Sequence, residues 1–209
     1  DIETLHSFEI FCGALKENKK LEHLDISGLT IHPFMVIKLA MAINNHSSLQ
    51  SLNLSNTSIS NLGVKYLCGM LKSNTTLKRL NLFNNLIIRE NLQDFEELLR
   101  RNKGLREINF NYCNLDGDCV RVFAEILKAK SCLTNIKLAK EDITIPAARA
   151  LSDYLASKPK LEELDLSNNQ INHETLGELV KSLHKRIVFK KWRFPTIKKL
   201  NLTMNRLNN

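Results

Sequence analysis

The sequence predicts an α/β fold made of repeated units, each a short strand followed by a helix. The first observation is a motif, L-x-x-L-x-L-x-x-(N or other)-x-(I or L), that recurs along most of the 209 residues. The second is the segment between successive motifs, where apolar residues recur at helical spacing. One short strand and helix cannot bury a core, but stacked copies can, so the units are expected to form a solenoid.

The strand motif sets the register of the chain. Its seven copies begin at Leu21, Leu49, Leu77, Leu105, Leu133, Leu161 and Ile197. The first five spacings are 28 residues, and the sixth is 36, an excess of eight. Because the L-x-L centre of each copy has a period of two, each copy predicts a short strand with one buried face.

The helical half of each unit keeps the same register. Apolar residues at i, i+3 and i+7 form one stripe, as at Val64, Leu67 and Leu71. Residues 1–20 fit the helix of a partial repeat, and the excess of eight residues predicts an insertion at about 184–196. We therefore expect a single domain over residues 1–209 that is a fragment of a longer protein.

The motif and its 28-residue length resemble the leucine-rich repeats of the ribonuclease-inhibitor-like subclass. That subclass includes ribonuclease inhibitor, the C-terminal repeats of NOD-like receptors and Ran GTPase-activating protein. The resemblance covers essentially the whole chain. It implies a right-handed curved solenoid with parallel strands on the concave face and helices on the convex face, and it specifies the fold far more than the function.

The ninth position of the motif carries Asn in this family, where the side chain satisfies backbone groups as the strand turns away. Here that position holds Leu29, Thr57, Asn85, Cys113, Glu141, Asn169 and Asn205. An ionised Glu141 can accept hydrogen bonds but cannot donate them, and burying it unpaired would be costly. We therefore expect Glu141 to turn outward toward Lys140, with an irregular backbone around it.

Composition excludes several classes of protein. Hydrophobic content of 43% and charged content of 25% are ordinary for a soluble domain, and no apolar run reaches the length of a membrane span. Five cysteines without a CxxC pair argue against a disulfide framework or a zinc site. We expect reduced thiols in a cytoplasmic protein, or in the host cytosol if the chain is a bacterial effector.

The sequence contains no catalytic signature. It has no G-x-S-x-G, H-E-x-x-H, phosphate-binding loop or G-x-G-x-x-G motif. The six histidines are scattered through the repeats without metal-ligand spacing. We therefore expect no enzyme activity, no cofactor and no metal site.

The best candidate for a binding site is the outward side of the predicted sheet, which the third, fifth, seventh and eighth motif positions should line. The candidate protein-binding residues are Arg79, Asn81, Phe83, Glu107, Asn109, Tyr112, Lys137 and Lys140. Phe83 and Tyr112 lie in neighbouring repeats, and their rings should share one patch because strands are about 4.8 Å apart. Exposed aromatics beside arginine are enriched in protein interfaces. The alternatives are a structural ladder for the asparagines and, for Phe83, packing on an unused surface.

A second candidate is the stretch HKRIVFKKWRFPTIKK, residues 184–199, which has seven basic residues, three aromatics and no acid. The rest of the chain has 23 basic and 22 acidic residues, so the net charge of +8 is concentrated here. The register places the stretch in a helix-to-strand loop at the rim. Its candidate residues are Lys185, Arg186, Lys190, Lys191, Trp192 and Arg193. Three interpretations stay open: Trp192 covers the core, binds a partner, or belongs to a nucleic-acid or lipid site.

We expect a non-catalytic protein–protein interaction module, acting as a scaffold, an effector or a signalling adaptor and monomeric alone. Its partner would be a protein bound on the concave face. One alternative is an accessory activity of the GTPase-activating type, in which Arg79 beside Asn81 would take part. The other is binding of nucleic acid or anionic lipid through residues 184–199.

Overall fold

The structure is a computed structural model that describes residues 2–130, 132–157, 160–188 and 197–207. Within these ranges, helices and strands alternate along the chain, seven of each. In chain order they are α1 (Ile2–Glu17), β1 (His23–Asp25), α2 (Pro33–Asn44), β2 (Ser51–Asn53), α3 (Asn61–Leu71), β3 (Arg79–Asn81), α4 (Asn91–Arg101), β4 (Glu107–Asn109), α5 (Gly117–Lys130), β5 (Asn135–Lys137), α6 (Ile145–Ser157), β6 (Glu163–Asp165), α7 (His173–Val188) and β7 (Lys199–Asn201).

The described strands form one open parallel sheet in the order β1 to β7. His23 of β1 lies opposite Ser51 of β2, 28 residues further on, and the following strands up to β6 keep this offset. Glu163 of β6 pairs with Lys199 of β7, 36 residues further on. The predicted register and the predicted α/β solenoid are both confirmed.

The stack must curve because its two layers have different thicknesses. Neighbouring strands are about 4.8 Å apart, whereas packed helices are about 8–10 Å apart. Stacked units therefore bend with the sheet on the inner side. We call the outward-facing side of the sheet the concave face.

The core lies between the sheet and the helices. Leu52 and Ile108, which point inward from β2 and β4, are completely buried, whereas Leu200 at the same position of β7 is 39% exposed. The ring of Phe110 packs edge-to-face on Phe95 and Phe123, with centroid distances of 4.8 and 5.1 Å. Each such side chain contributes about 1.5–3 kcal/mol by leaving water. The described residues thus cover the core fully in the central repeats and only partly at β7.

The predicted loop from residue 184 is wrong at its start, because helix α7 continues to Val188. Residues 184–188 contain no Gly or Pro, and Lys and Arg favour helix, so the first part of the insertion extends the helix. The backbone of Lys185 and Arg186 is therefore helical. The remaining candidates of this segment, Lys190, Lys191, Trp192 and Arg193, lie outside the described residues, and their role stays a prediction.

None of the helices in the described ranges is long and apolar enough to cross a membrane. All five cysteines are free thiols. Four of them are buried, and Cys132 is partly exposed. Burial raises the pKa of the Cys12 and Cys119 thiols to about 11, so these groups are protonated at neutral pH.

Candidate functional site

The side chains at the fifth motif position form a row along the concave face, one from each strand. Asn81 Oδ1 accepts a hydrogen bond from the N–H of Phe83 at 3.0 Å, and Asn109 Oδ1 accepts one from Asn111 at 2.9 Å. Each bond closes a turn that ends the strand. The two side-chain oxygens are therefore structural, but each bond stays within its own repeat and does not link the asparagine side chains of neighbouring repeats into a ladder. Their amide NH₂ groups have no hydrogen-bond partner among the described residues, so they remain available as donors.

Lys137 interrupts this row because an ammonium group cannot accept a hydrogen bond. The N–H of Ala139, which an asparagine at position 137 would have bound, is taken by Asn111 Oδ1 of the preceding repeat at 2.7 Å. The Lys137 side chain instead reaches Glu107, with Nζ 2.8 Å from Oε1. Both members of this ion pair are partly buried, at 29% and 24% side-chain exposure. The pair is a locally neutral element at the centre of the face.

Phe83 and Tyr112 form the aromatic contact that their positions predict. Their ring centroids are 5.1 Å apart with the planes tilted by 45°. Phe83 is partly buried, and Tyr112 is 43% exposed. A contact of this geometry is favourable beyond its buried area. The two rings present one continuous apolar surface beside the asparagine row.

The backbone under Tyr112 is left-handed. The eighth motif position has positive φ in every described repeat, and Gly or Asn, which tolerate it, fill four of the seven sites. Tyr112 and Lys140 both have φ of 61°, and Met204 has 57°. A bulky residue there carries a conformational cost of order 1 kcal/mol. Two of these three strained residues are candidates for the binding face.

Arg79 is the exposed cation of this face without an acidic partner. Its Nη2 lies 3.3 Å from Nδ1 of His23, two repeats away, and it forms no ion pair within the described part of the chain. Arg79 borders a shallow depression of about 300 Å³. The depression is also lined by Asn81, Glu107, Asn109 and Lys137 together with residues of β1 and β2.

The structure thus brings most predicted site residues together but separates Lys140 from them. Lys140 is exposed and borders a different depression of about 260 Å³ at the strand-to-helix edge. That depression is also lined by Asp116, Glu141 and Asp142. Lys140 therefore belongs to the rim rather than to the centre of the concave face.

The prediction that Glu141 turns outward is wrong. Its carboxylate is buried and accepts hydrogen bonds from the N–H of Cys113 at 2.6 Å and of Leu115 at 2.5 Å. The N–H of Glu141 binds Asn169 Oδ1 at 2.6 Å, so the backbone keeps its regular course. The usual Asn both accepts and donates hydrogen bonds, and a carboxylate can still do the accepting. The sequence-based prediction did not consider this. Burial raises the pKa of Glu141 to about 7, while the two N–H groups act in the opposite direction.

An asparagine ladder lies at the opposite ends of the strands, in the helix-to-strand loops. Asn74 and Asn102 each accept two N–H groups of their own loop. Each also donates its amide to carbonyls of the preceding repeat, as Asn102 does to Leu71 at 2.6 Å and to Asn74 at 2.7 Å. Sequence reasoning missed this ladder, although the signal was present as Asn three residues before the first Leu of the motif.

The described residues contain no group of three or more His, Cys, Asp and Glu side chains placed to hold a metal ion. The polar groups at the centre of the concave face include the amides of Asn81 and Asn109, the Lys137–Glu107 ion pair and Arg79. Such groups recognise a ligand through hydrogen bonds and charge.

Two segments match family models for leucine-rich repeats, residues 45–68 and residues 160–183. No curated protein matches the sequence. Together with the repeat register and the open parallel sheet, the two matches support a leucine-rich-repeat fold.

Several solved structures are similar to this chain at low sequence identity. The leiomodin-1 actin-binding site 2 has a TM-score of 0.50 and 14% identity, over 85% of this chain and 90% of that one. The tropomodulin C-terminal domain of Caenorhabditis elegans has a TM-score of 0.48 and 14% identity, over 88% and 97%. A complex of TLR13 with ssRNA13 has a TM-score of 0.32 and 14% identity, over 93% and 34%.

Proposed function

We propose that this chain is a non-catalytic protein-interaction module that binds a protein partner on its concave face. The observation that carries the proposal is the contact between the partly buried ring of Phe83 and the exposed ring of Tyr112, whose backbone is left-handed. One of the similar structures is named as an actin-binding site, so this architecture can present a protein-binding surface.

The aromatic pair has the properties of an interface anchor. Binding energy in protein interfaces concentrates in a few aromatic and arginine side chains near the centre. Phe83 and Tyr112 lie in the third and fourth of seven repeats. Arg79 begins strand β3, and Phe83 follows two residues after the end of that strand. A partner side chain seated on both rings would also cover the unpaired amides of Asn81 and Asn109.

The polar surroundings favour a specific partner over a general apolar surface. The amide groups of Asn81 and Asn109 can donate hydrogen bonds, and Arg79 can pair with a carboxylate. The Lys137–Glu107 pair adds no net charge. The face therefore suits a partner segment that carries an apolar side chain together with hydrogen-bond acceptors.

Loss of the two rings tests the proposal. The variant Phe83→Ala/Tyr112→Ala is compared with the natural chain by crosslinking and pull-down mass spectrometry, and both melting temperatures are measured. A matched control is Phe34→Ala/Tyr66→Ala, because these aromatics are each 40% exposed on convex helices. The proposal expects partners lost only in the first variant, at a melting temperature close to that of the control. Partners retained by the first variant would refute it.

The proposal also assigns the chain to the ribonuclease-inhibitor-like subclass and to a reducing, cytoplasmic environment, with a monomer as the free form. The 28-residue register and helices of 11–16 residues support the subclass.

Free thiols that are mostly buried support a reducing, cytoplasmic environment. Light scattering of the purified chain checks the monomer.

A further inference from the structure

The charges of the chain are segregated onto one edge of the solenoid. Parallel helices and parallel strands place all helix-to-strand loops on the same side, and we call these described loops with the adjoining helix ends the basic edge. Its basic residues are Lys16, Lys19, Lys20, Lys72, Lys78, Arg100, Arg101, Lys103, Arg106, Lys128, Lys160 and Lys198. Its acidic residues are Glu17, Glu22 and Glu162. Twelve against three gives +9, which leaves 18 basic and 19 acidic residues of the total 30 and 22 for the rest of the chain.

Helix capping accounts for only part of this charge. A helix C-terminus carries a partial charge of about −0.5, and basic residues there are favourable. The seven described helices would together offset about −3.5 on this edge. Lys72 and Arg101 also pair with Glu97, and Lys128 pairs with Asp153, two acids outside the count of three. Subtracting their two charges and the offset of the helix ends from +9 leaves a surplus of about +3.5 on the basic edge.

The surplus is densest on two loops, residues 72–78 and 100–106. These loops are in backbone contact, because a Cβ on Gly104 would lie 2.5 Å from the carbonyl oxygen of Thr75. Asn102 fixes them further through its bonds to the carbonyls of Leu71 and Asn74. The cations carried by the two loops therefore stand on a rigid base.

Four cations of these loops form no ion pair with a described carboxylate, and we call Lys78, Arg100, Lys103 and Arg106 the edge cluster. Lys78 Nζ donates to the carbonyl of Thr75 at 2.8 Å, and Arg106 Nη1 donates to those of Lys103 at 2.9 Å and Gly104 at 3.1 Å. Since Thr75 and Gly104 are in contact, the Lys78 ammonium and the Arg106 guanidinium are at most about 12 Å apart.

The edge cluster has unused capacity for an anion. None of its members forms an ion pair with a described carboxylate, and the nearby Glu97 is already paired with Lys72 and Arg101. An ammonium group has three donors and a guanidinium has five. Lys78 donates to one carbonyl, and the three carbonyls that Arg106 contacts are all bound by Nη1, so Nε and Nη2 of Arg106 stay open within the described part of the chain. Like charges on the two neighbouring loops repel, and an anionic ligand would relieve that repulsion.

We propose that the edge cluster binds an acidic polypeptide segment, that is, several aspartates or glutamates close together in a partner protein. Charge complementarity argues for an anion, and two observations favour a polypeptide. No large hydrophobic side chain is exposed on the two loops of the edge cluster, residues 72–78 and 100–106, so these loops offer neither a platform for stacked bases nor a wedge for a bilayer.

The loop of residues 44–50 is uncharged, and on the other side Lys128 and Lys198 are paired with Asp153 and Glu162. Unpaired cations of the described edge are therefore densest over about two repeats and do not form the continuous stripe that a duplex would follow.

The inference stands independently of the concave-face proposal, because it uses different residues and a different side of the chain. Arg79 follows Lys78 directly and points onto the concave face, so one partner could contact both surfaces. Failure at one surface would leave the other unaffected.

The test measures binding of a fluorescent oligo-glutamate peptide of about eight residues by anisotropy at low salt, with the full chain. The variant is Arg100→Glu/Lys103→Glu, whose side chains are exposed. The control is Lys65→Glu/Arg206→Glu, which makes the same change of charge at exposed positions away from the edge. We expect the first variant to weaken binding about tenfold or more and the control to change it less than about threefold. Melting curves show that both variants fold.

Three other results would overturn the proposal. Equal losses in the two variants would show a general charge effect without a site. Tighter binding of a duplex DNA of the same total charge, or of vesicles containing phosphatidylserine, with the same sensitivity to Arg100→Glu/Lys103→Glu, would assign the edge to nucleic acid or membrane instead. Absence of peptide binding at low salt would refute it directly.

Discussion

Single side chains at the strand ends determine both the shape and the chemistry of the concave face. Asn81 and Asn109 illustrate the two roles of one residue, since the oxygen closes a turn while the amide group stays open to a ligand. At the ninth motif position, Glu141 shows that a carboxylate can replace Asn where only hydrogen-bond acceptors are needed. The local rule is therefore set by hydrogen-bond geometry rather than by residue type.

The left-handed backbone at Tyr112 gives the first prediction. Tyr112→Asn and Tyr112→Ala both remove the ring and its contact with Phe83, but Asn tolerates a φ of 61° better than Ala does. We expect Tyr112→Asn to be more stable than Tyr112→Ala by about 0.5–1 kcal/mol in urea unfolding. Tyr112→Phe, which keeps ring and strain, should match the natural chain. An alanine variant as stable as the asparagine variant would contradict this.

The buried carboxylate of Glu141 gives a prediction about pH. Its pKa is raised from 4.5 to about 7, so the folded state holds the proton more tightly than the unfolded state does. The stability contributed by the protonated group is complete below pH 4.5 and is lost as the pH rises through about 7. Glu141→Gln cannot ionise, and its amide can still accept the N–H bonds of Cys113 or Leu115.

Urea unfolding at several pH values checks this prediction. We expect the free energy of unfolding of Glu141→Gln, relative to the natural chain, to rise by about 1–3 kcal/mol between pH 5 and pH 8. Comparison of the two proteins at each pH cancels the titration of all other groups. A difference that stays constant over this range would mean that Glu141 titrates normally in the folded protein.

At the scale of the elements, sequence periodicity predicted the strands and helices. The period-two strand motif and the apolar stripe of the helices both recur in the same repeat register. The seven strands begin two residues after the first motif residue, as from Leu21 to His23 and from Leu105 to Glu107. The end of α7 was missed because propensity carried the helix beyond its apolar stripe to Val188. Asn111 was missed because its role depends on Lys137 in the next repeat, and no pattern within one repeat reveals that compensation.

The contact between two loops gives the third prediction. A methyl group on Gly104 would lie 2.5 Å from the Thr75 carbonyl oxygen and 2.8 Å from its carbon, and backbone atoms cannot move aside easily. We expect Gly104→Ala to lower the free energy of unfolding by about 1–3 kcal/mol, because the loops must separate. Thermal and urea unfolding measure the change.

The matched control is Gly69→Ala on helix α3, where a Cβ meets no atom within 4 Å. Alanine is the better helix former, so this variant should gain about 0.5–1 kcal/mol. Opposite signs for the same substitution would establish that Gly104 is required by close approach. A neutral Gly104→Ala variant would show that the loops have room to move.

At the scale of the whole molecule, stacking changes the meaning of the charges. Counting along the sequence singles out residues 184–199 and leaves 23 basic and 22 acidic residues elsewhere, which looks like balance. The solenoid then places basic residues from successive repeats on one edge, 28 residues apart in sequence and adjacent in space, as with Lys78 and Arg106. The positions of these basic residues are fixed by the sequence, but their clustering is recognised only after the repeat register assigns each position to an edge of the solenoid. The concave patch of Phe83 and Tyr112 was predictable for the same reason, since the register alone made them neighbours.

The basic edge makes the stability of the whole chain depend on salt. Repulsion within the edge cluster destabilises the folded state, and raising the ionic strength from about 0.01 M to 0.15 M shortens the Debye length from about 30 Å to about 8 Å. Screening should therefore stabilise the natural chain, against a smaller loss from exposed ion pairs such as Arg149–Glu178. Arg100→Glu/Lys103→Glu turns the repulsion into attraction, so its unfolding free energy should rise less with salt, or fall. Urea unfolding across this range measures both slopes, with Lys65→Glu/Arg206→Glu keeping the slope of the natural chain. Equal slopes for all three proteins would mean that the cations of the edge do not interact, and that segregation has no energetic consequence in the folded chain.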